Sequence, residues 1–235
     1  MKRHNSKRNI ILSILFFLPV AFLLMLYPAK HNYIPLDVVN ENVSEIEVFS
    51  SNSEDKIELA DHITVLGFLG TNPLENSIAV SNLKELVYDK FKGFKKFQVV
   101  LISVDGSKAE VEKLQKEIAT YEDLRFWHYV YGSKEQIKEL HRSLKIEKPL
   151  KDNYSTEDIF IIDKDLKQRG RIDDRDDKEV EENKPVKSLS AYDSIDVSVI
   201  KNKMSEDMRI LFTEYRQKRK GKFDSTTRRA EDIKN

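Results

Sequence analysis

Apolar positions are distributed unevenly along the chain, and the first dense run differs from the rest. From Ile10 to Tyr27 the sequence is apolar except at Ser13 and Pro19, and Lys2, Arg3, Lys7 and Arg8 precede it. At about 1.5 Å rise per residue such a helix spans roughly 27 Å, close to the hydrocarbon thickness of a bilayer. The pattern predicts a transmembrane anchor over residues 10–27. A basic stretch, residues 1–9, would stay on the cytoplasmic side and the rest of the chain would be exported. A cleaved signal peptide is the competing reading. It would carry an apolar region of about 7–15 residues and a small-x-small cleavage site, and Leu26-Tyr27-Pro28-Ala29 is a poor one. A lipoprotein anchor is excluded because the chain has no cysteine. In a bacterial cell this address is a single-pass protein of the inner membrane with its C-terminal domain in the periplasm.

Beyond a linker over residues 28–44, the periodicity predicts one domain over residues 45–215. Ile46 and Val48 alternate with glutamates, and Ile57-Glu58-Leu59 follows a polar turn, which suggests an N-terminal β-hairpin. Ile63 to Leu69 and Phe97 to Val104 are nearly continuous apolar runs, as strands buried on both faces require. Val80, Leu83, Leu86 and Val87 lie at helical spacing between them. Ser107 with Glu110, and Ser133 with Gln136, have capping-box spacing at the heads of two further helices. Arg125 to Tyr131 reads as a third strand, and Ile159 to Asp163 and Arg169 to Ile172 as a closing hairpin. Ile200, Met204, Met208, Leu211, Phe212 and Tyr215 share one face of a last helix. Strands alternating with helices make an α/β layered domain.

Composition narrows the function classes. Forty basic and forty acidic side chains give a net charge of zero, which argues against nucleic acid or a general polyanion as partner. The absence of cysteine leaves the domain to its core alone, with no disulfide. An acidic loop over residues 173–183 and a basic, disordered tail over residues 216–235 are expected to be solvated.

The turn Asn72-Pro73-Leu74-Glu75-Asn76 separates the first buried strand from its helix. With Leu101-Ile102-Ser103-Val104-Asp105, Tyr131-Gly132-Ser133-Lys134-Glu135-Gln136-Ile137 and Ile159-Phe160-Ile161-Ile162-Asp163, its order and spacing resemble the Sco/SenC family over residues 45–172. The resemblance implies a membrane-tethered, thioredoxin-like fold and an activity in copper delivery to, or thiol reduction of, cytochrome c oxidase. It also implies copper held by two cysteines four residues apart and one later histidine. Those positions correspond here to Asn72, Asn76 and Ser155, with Pro73 retained. Copper(I) selects thiolate, thioether or imidazole, and thiol exchange needs a thiolate. The ligand set is therefore degenerate, and the implied activity does not carry over.

Other candidate chemistry is sparse. Asn72 reads as a helix cap with Pro73 at the first helical position; the alternative is a pair of amides that bind a peptide. His4, His31, His62, His128 and His141 show no paired ligand spacing; His141 is expected on an exposed polar face and His128 half-buried. Asp173, Asp174, Asp176 and Asp177 supply hard oxygens but lack the EF-hand glycine and terminal glutamate. Basic residues of the tail could touch anionic lipid. No catalytic residue, metal or cofactor is expected. The chain reads as a non-catalytic interaction or assembly factor whose partner is a membrane or periplasmic protein. A role near respiratory oxidase assembly follows from the resemblance alone. A Sco-type metal-delivery or redox protein using other ligands, or a structural subunit of a membrane complex, is the alternative.

Overall fold

The computed structural model describes residues 3–26, 34–51, 56–119 and 124–221. The chain divides into two compact units, residues 1–33 and residues 34–235. The first contains α1 (Arg3–Leu26), a helix interrupted in sequence only by Pro19. Its stretch Lys7–Met25 has a mean hydropathy of 2.1 and is long enough to cross a membrane. A helix of this kind serves as an anchor or as a signal sequence.

The second unit is built on an eight-stranded sheet. Its strands are β1 (Asp37–Asn40), β2 (Ser50–Ser51), β3 (Ile63–Gly70), β4 (Phe97–Val104), β5 (Trp127–Gly132), β6 (Asp158–Ile162), β7 (Gln168–Gly170) and β8 (Tyr192–Asp193), in the order β1-β7-β6-β3-β4-β5-β2, with β8 on β6. β3, β4 and β5 are parallel, whereas β6 runs antiparallel to β3 and forms a hairpin with β7. The central strands are buried along their whole length, and successive side chains go to two separate cores. Val65, Leu69, Val99 and Leu101 pack beneath α2 (Ser77–Leu83), α4 (Lys108–Ile118) and α7 (Ser205–Arg219). Leu66, Phe68, Val100 and Ile102 pack beneath α5 (Lys134–Arg142). A β-α-β unit, a helix on the opposite face and a closing hairpin define a thioredoxin-like α/β fold.

Several predicted elements differ. The linker expected over residues 28–44 is part of the sheet from Asp37 to Asn40, which pairs with Gly170 to Gln168; residues 27–33 lie outside the described residues. The hairpin expected over residues 45–59 does not form. The Glu45 carboxylate accepts from the amides of Ile46, Leu59 and Ala60 at 2.9, 2.7 and 2.9 Å, so those backbone groups close a loop instead of a ladder. Ser50 and Ser51 pair with β5, and residues 52–55 of the expected turn lie outside the described residues. At Ser107 the capping box is absent because the hydroxyl donates backward to Val104 O at 2.7 Å; at Ser133 both of its bonds are made. α2 continues through a π-helical turn, Lys84–Tyr88, into α3 (Asp89–Phe91). The acidic loop contains α6 (Asp177–Glu181), capped reciprocally by Asp176 and Glu179. It is tied to the domain through Arg171–Asp174 (3.1 Å) and Lys203–Asp174. The expected tail is helical as far as Arg219, and residues 222–235 lie outside the described residues.

Candidate functional site

β3 ends against the segment before β6, and this contact sets the turn that carries Asn72 and Asn76 beside Ser155. Gly70 turns the chain at φ +69°, and a Cβ there would lie 2.1 Å from Asn153 O and 2.7 Å from Ser155 N. No side chain fits that approach. Leu69 bridges to Ser155, the Thr71 amide donates to Asn153 O at 2.8 Å, and the Thr156 amide donates to Phe68 O at 3.1 Å. Backbone bonds therefore already set the turn at residues 72–76 beside residues 153–156.

The side chains close the same junction. Asn72 precedes a 3-10 turn, Pro73–Asn76, with Pro73 at its start. Asn72 occupies the cap position, but its side chain does not cap. Pro73 has no N–H, and the Glu75 amide is already bonded to Asn72 O at 3.1 Å. Asn72 Nδ2 donates instead to Glu75 Oε1 at 2.9 Å. Asn76 is buried and donates to Leu69 O at 3.1 Å. Ser155, 1% exposed, sends its amide and hydroxyl to Asn153 Oδ1 at 3.1 and 2.7 Å. Asn153 Nδ2 reaches Glu75 Oε2 at 3.2 Å, so the Glu75 carboxylate joins Asn72 on one side to Asn153 on the other. Next to it Tyr154, at φ +65°, lies under the ammonium groups of Lys134 and Lys138 at 5.3 and 5.2 Å.

Glu75 and Asn153 are the residues that reading the sequence missed. The visible signals were a glutamate three residues after Asn72 and the Asn-x-Ser pattern of an Asx turn at residues 153–155. The donor set does not suit copper(I). It offers amide nitrogens, hard oxygens and one carboxylate, and the amide nitrogens, the Ser155 hydroxyl and the Glu75 carboxylate are engaged in the internal bonds just described.

His141 is placed differently from its expectation. It is 4% exposed on the inner face of α5, edge-on to Phe68 at 5.3 Å and to Phe160 at 6.3 Å. Burial pushes its imidazole below the ordinary value. Its place four residues after Ile137 puts it on the apolar stripe. His128 is half-buried, and His62 Nδ1 lies 3.0 Å from Ala60 O; His4 and His31 belong to parts of the chain whose side chains are not described. Asp173 pairs with Arg175 at 2.7 Å and Asp174 with Arg171, so these carboxylates answer cations of the domain. Among the described residues no group of three histidine, aspartate or glutamate side chains has metal-ligating geometry.

Two buried charge clusters hold α7 to the sheet. Arg169, 1% exposed, donates to Asp163 at 2.9 Å, to Glu214 at 2.7 Å and to Leu36 O at 2.9 Å. Burial opposes its charge, and Glu214 and Asp163 more than offset this, so its guanidinium stays above its ordinary value. Arg171 pairs with Asp207 at 2.6 Å, and Tyr192 OH donates to the same carboxylate at 2.6 Å. Burial raises Asp207 despite Arg171 and Tyr192. Perturbed groups of this kind also occur in structural ion-pair networks. Here the partners lie on α7 and on, or next to, strands β1, β6, β7 and β8.

No protein-family model matches the sequence, and no curated protein matches it. Solved structures do match. A SCO1/SenC family lipoprotein from Bacillus anthracis is 16% identical over 74% of this chain and 96% of its own, with a TM-score of 0.49. The soluble domain of Sco1 from Bacillus subtilis is 16% identical over 76% of this chain and 96% of its own, with a TM-score of 0.44. The thioredoxin domain of a thiol-disulfide oxidoreductase from Bacteroides vulgatus is 14% identical over 72% and 96%, with a TM-score of 0.42.

Proposed function

We propose that this chain is a membrane-anchored, thioredoxin-like interaction factor in which the place of a metal or thiol site is taken by a structural hydrogen-bond latch. The observation that carries the reading is the closure of the junction by Glu75. Its carboxylate spans Asn72 and Asn153, while Asn76 and Ser155 turn inward to Leu69 O and Asn153 Oδ1. Side chains so engaged fix two loops together and leave no nucleophile at the junction. α1 supplies the anchor, and the domain then acts by contact with a membrane or periplasmic protein. Assembly of a respiratory oxidase is the context that the Sco/SenC resemblance suggests, and it enters by analogy of fold.

The test is titration of the full-length protein in neutral detergent with Cu(I), under reducing conditions and against a competing chelator. The expected result is no stoichiometric binding tighter than about micromolar. Tight one-to-one binding would overturn the latch reading. Cross-linking in native membranes supplies the positive arm: a reproducible protein partner is expected, and its absence would count against an interaction role.

A further inference from the structure

Lys90, Lys201 and Arg209 lie together on the domain surface, where the charges acting on Lys90 are those of the other two cations. Lys201, Ser205 and Arg209 follow one another along a row of the C-terminal helical segment, at successive turns. Lys90, from the π-helical turn and α3 region, donates to the hydroxyl of Ser205 at 3.2 Å, which places its ammonium between the other two cations. All three cations are exposed. None forms an ion pair among the described residues, and the charges that act on Lys90 are those of Arg209 and Lys201. The acids closest in sequence are engaged elsewhere. Asp89 pairs with Lys84 at 3.1 Å and Lys92 at 3.0 Å, and Glu206 is directed at Arg171, 3.8 Å away.

Aromatic surface adjoins this charge. Phe212, three residues after Arg209 on α7, stacks against Phe94 with ring centroids 4.1 Å apart, and Phe94 is 46% exposed. Phe94 lies four residues after Lys90. The same two segments therefore present three uncompensated cations and an exposed aromatic ring. Aromatic rings and basic side chains together suit the headgroup layer of a bilayer, where the ring enters the boundary and the cations meet phosphates.

We infer that the face formed by Lys90, Lys201, Arg209 and Phe94 docks on anionic lipid headgroups. The inference goes beyond the latch and takes from the proposed function only its membrane address. A chain anchored in a bilayer meets headgroups at high effective concentration, so a modest attraction suffices to hold the domain on the surface.

The test uses the full-length chain with protein-free vesicles of neutral phosphatidylcholine alone or with added phosphatidylglycerol. Lysine acylation is read residue by residue by mass spectrometry, with the exposed Lys56, paired with Glu58 at 2.7 Å, as internal control. Acylation of Lys90 and Lys201 is expected to slow in anionic vesicles relative to Lys56, and to recover at high salt. Arg209→Gln should lower the docked-to-free ratio about fivefold. Equal reactivity in the two vesicle types would overturn the inference, as would full protection in Arg209→Gln. Protection by inorganic phosphate in neutral vesicles would also overturn it, by assigning the face to a soluble anion. Co-flotation with neutral vesicles reports α1 separately. If the chain does not float there, the anchor fails, and flotation with anionic vesicles alone, weakened about fivefold in Arg209→Gln, would still support the docking face. No flotation with either would overturn both.

Discussion

His141 offers a direct way to test the packing beneath α5 through pH. Its Nε2 is buried with no hydrogen-bond partner among the described residues, between the edges of Phe68 and Phe160. Burial is the cause of its lowered pKa, and no carboxylate opposes it. In the unfolded chain a histidine titrates near pH 6.5. Below that value the unfolded state binds a proton that the folded state refuses. The stability present above about pH 6.5 is then lost as pH falls toward the folded value, with a limiting slope of about 1.4 kcal/mol per pH unit.

The comparison chain is His141→Leu. At neutral pH its net effect is small, because removing an unsatisfied buried nitrogen recovers about 1–3 kcal/mol while lost ring contacts cost about 0.5–1.5 kcal/mol. The pH dependence is what separates the two chains. Asp158 and Asp207, both raised by burial, act in the opposite sense, since a raised carboxyl favours folding more as pH falls. Both chains share them, and they cancel in the difference. Urea unfolding of the unit from residue 34 onward, measured from pH 7.5 to 5, should show the natural chain losing stability relative to the variant below about pH 6.5. Parallel profiles would refute the burial of His141, and a relative gain by the natural chain toward acid would indicate an anionic partner for it.

Arg169→Met should cost about 3–5 kcal/mol, read as a lower urea midpoint at unchanged slope, because it strands the buried carboxylates of Asp163 and Glu214. Asn76→Ala should cost about 1–3 kcal/mol by leaving Leu69 O unpaired in the interior. Asn72→Ala, which removes only an exposed bond to Glu75, should stay within about 0.5 kcal/mol in the same unfolding measurement; a larger loss would restore the cap reading.

What could be read from the sequence follows from where the determining contacts lie. β3 and β4 were legible because a strand buried on both faces is a continuous apolar run, and the runs from Ile63 and Phe97 coincide with the strands found. Ser133 and Gln136 were legible as a cap because both partners lie within one turn. β1 was not, since Asp37-Val38-Val39-Asn40 becomes a strand only because β7 offers it an edge more than a hundred residues later. The Arg169 cluster was equally hidden, its acids lying at Asp163 and Glu214. The candidate site was half legible: Asn72, Asn76 and Ser155 came from the resemblance, while the tie between Glu75 and Asn153 depends on a contact across 78 residues.

The junction also separates the geometry of a meeting point from the side chains that occupy it. The bonds that bring residues 72–76 to residues 153–156 are made by the backbone, namely Thr71 N to Asn153 O, Thr156 N to Phe68 O and the bridge from Leu69 to Ser155. They require Gly70 at positive φ and permit Pro73 at the head of the turn, and they place no demand on the side chains at 72, 76 and 155. Any side chains at those positions arrive at the same place, whether as soft ligands or as amides. Here the amides and the hydroxyl bond inward, and Glu75 adds a tie across the gap. The geometry therefore specifies a meeting point and the residue types decide what is done there, which is why the donor set, and not the likeness of fold, must carry any argument about copper or thiol exchange.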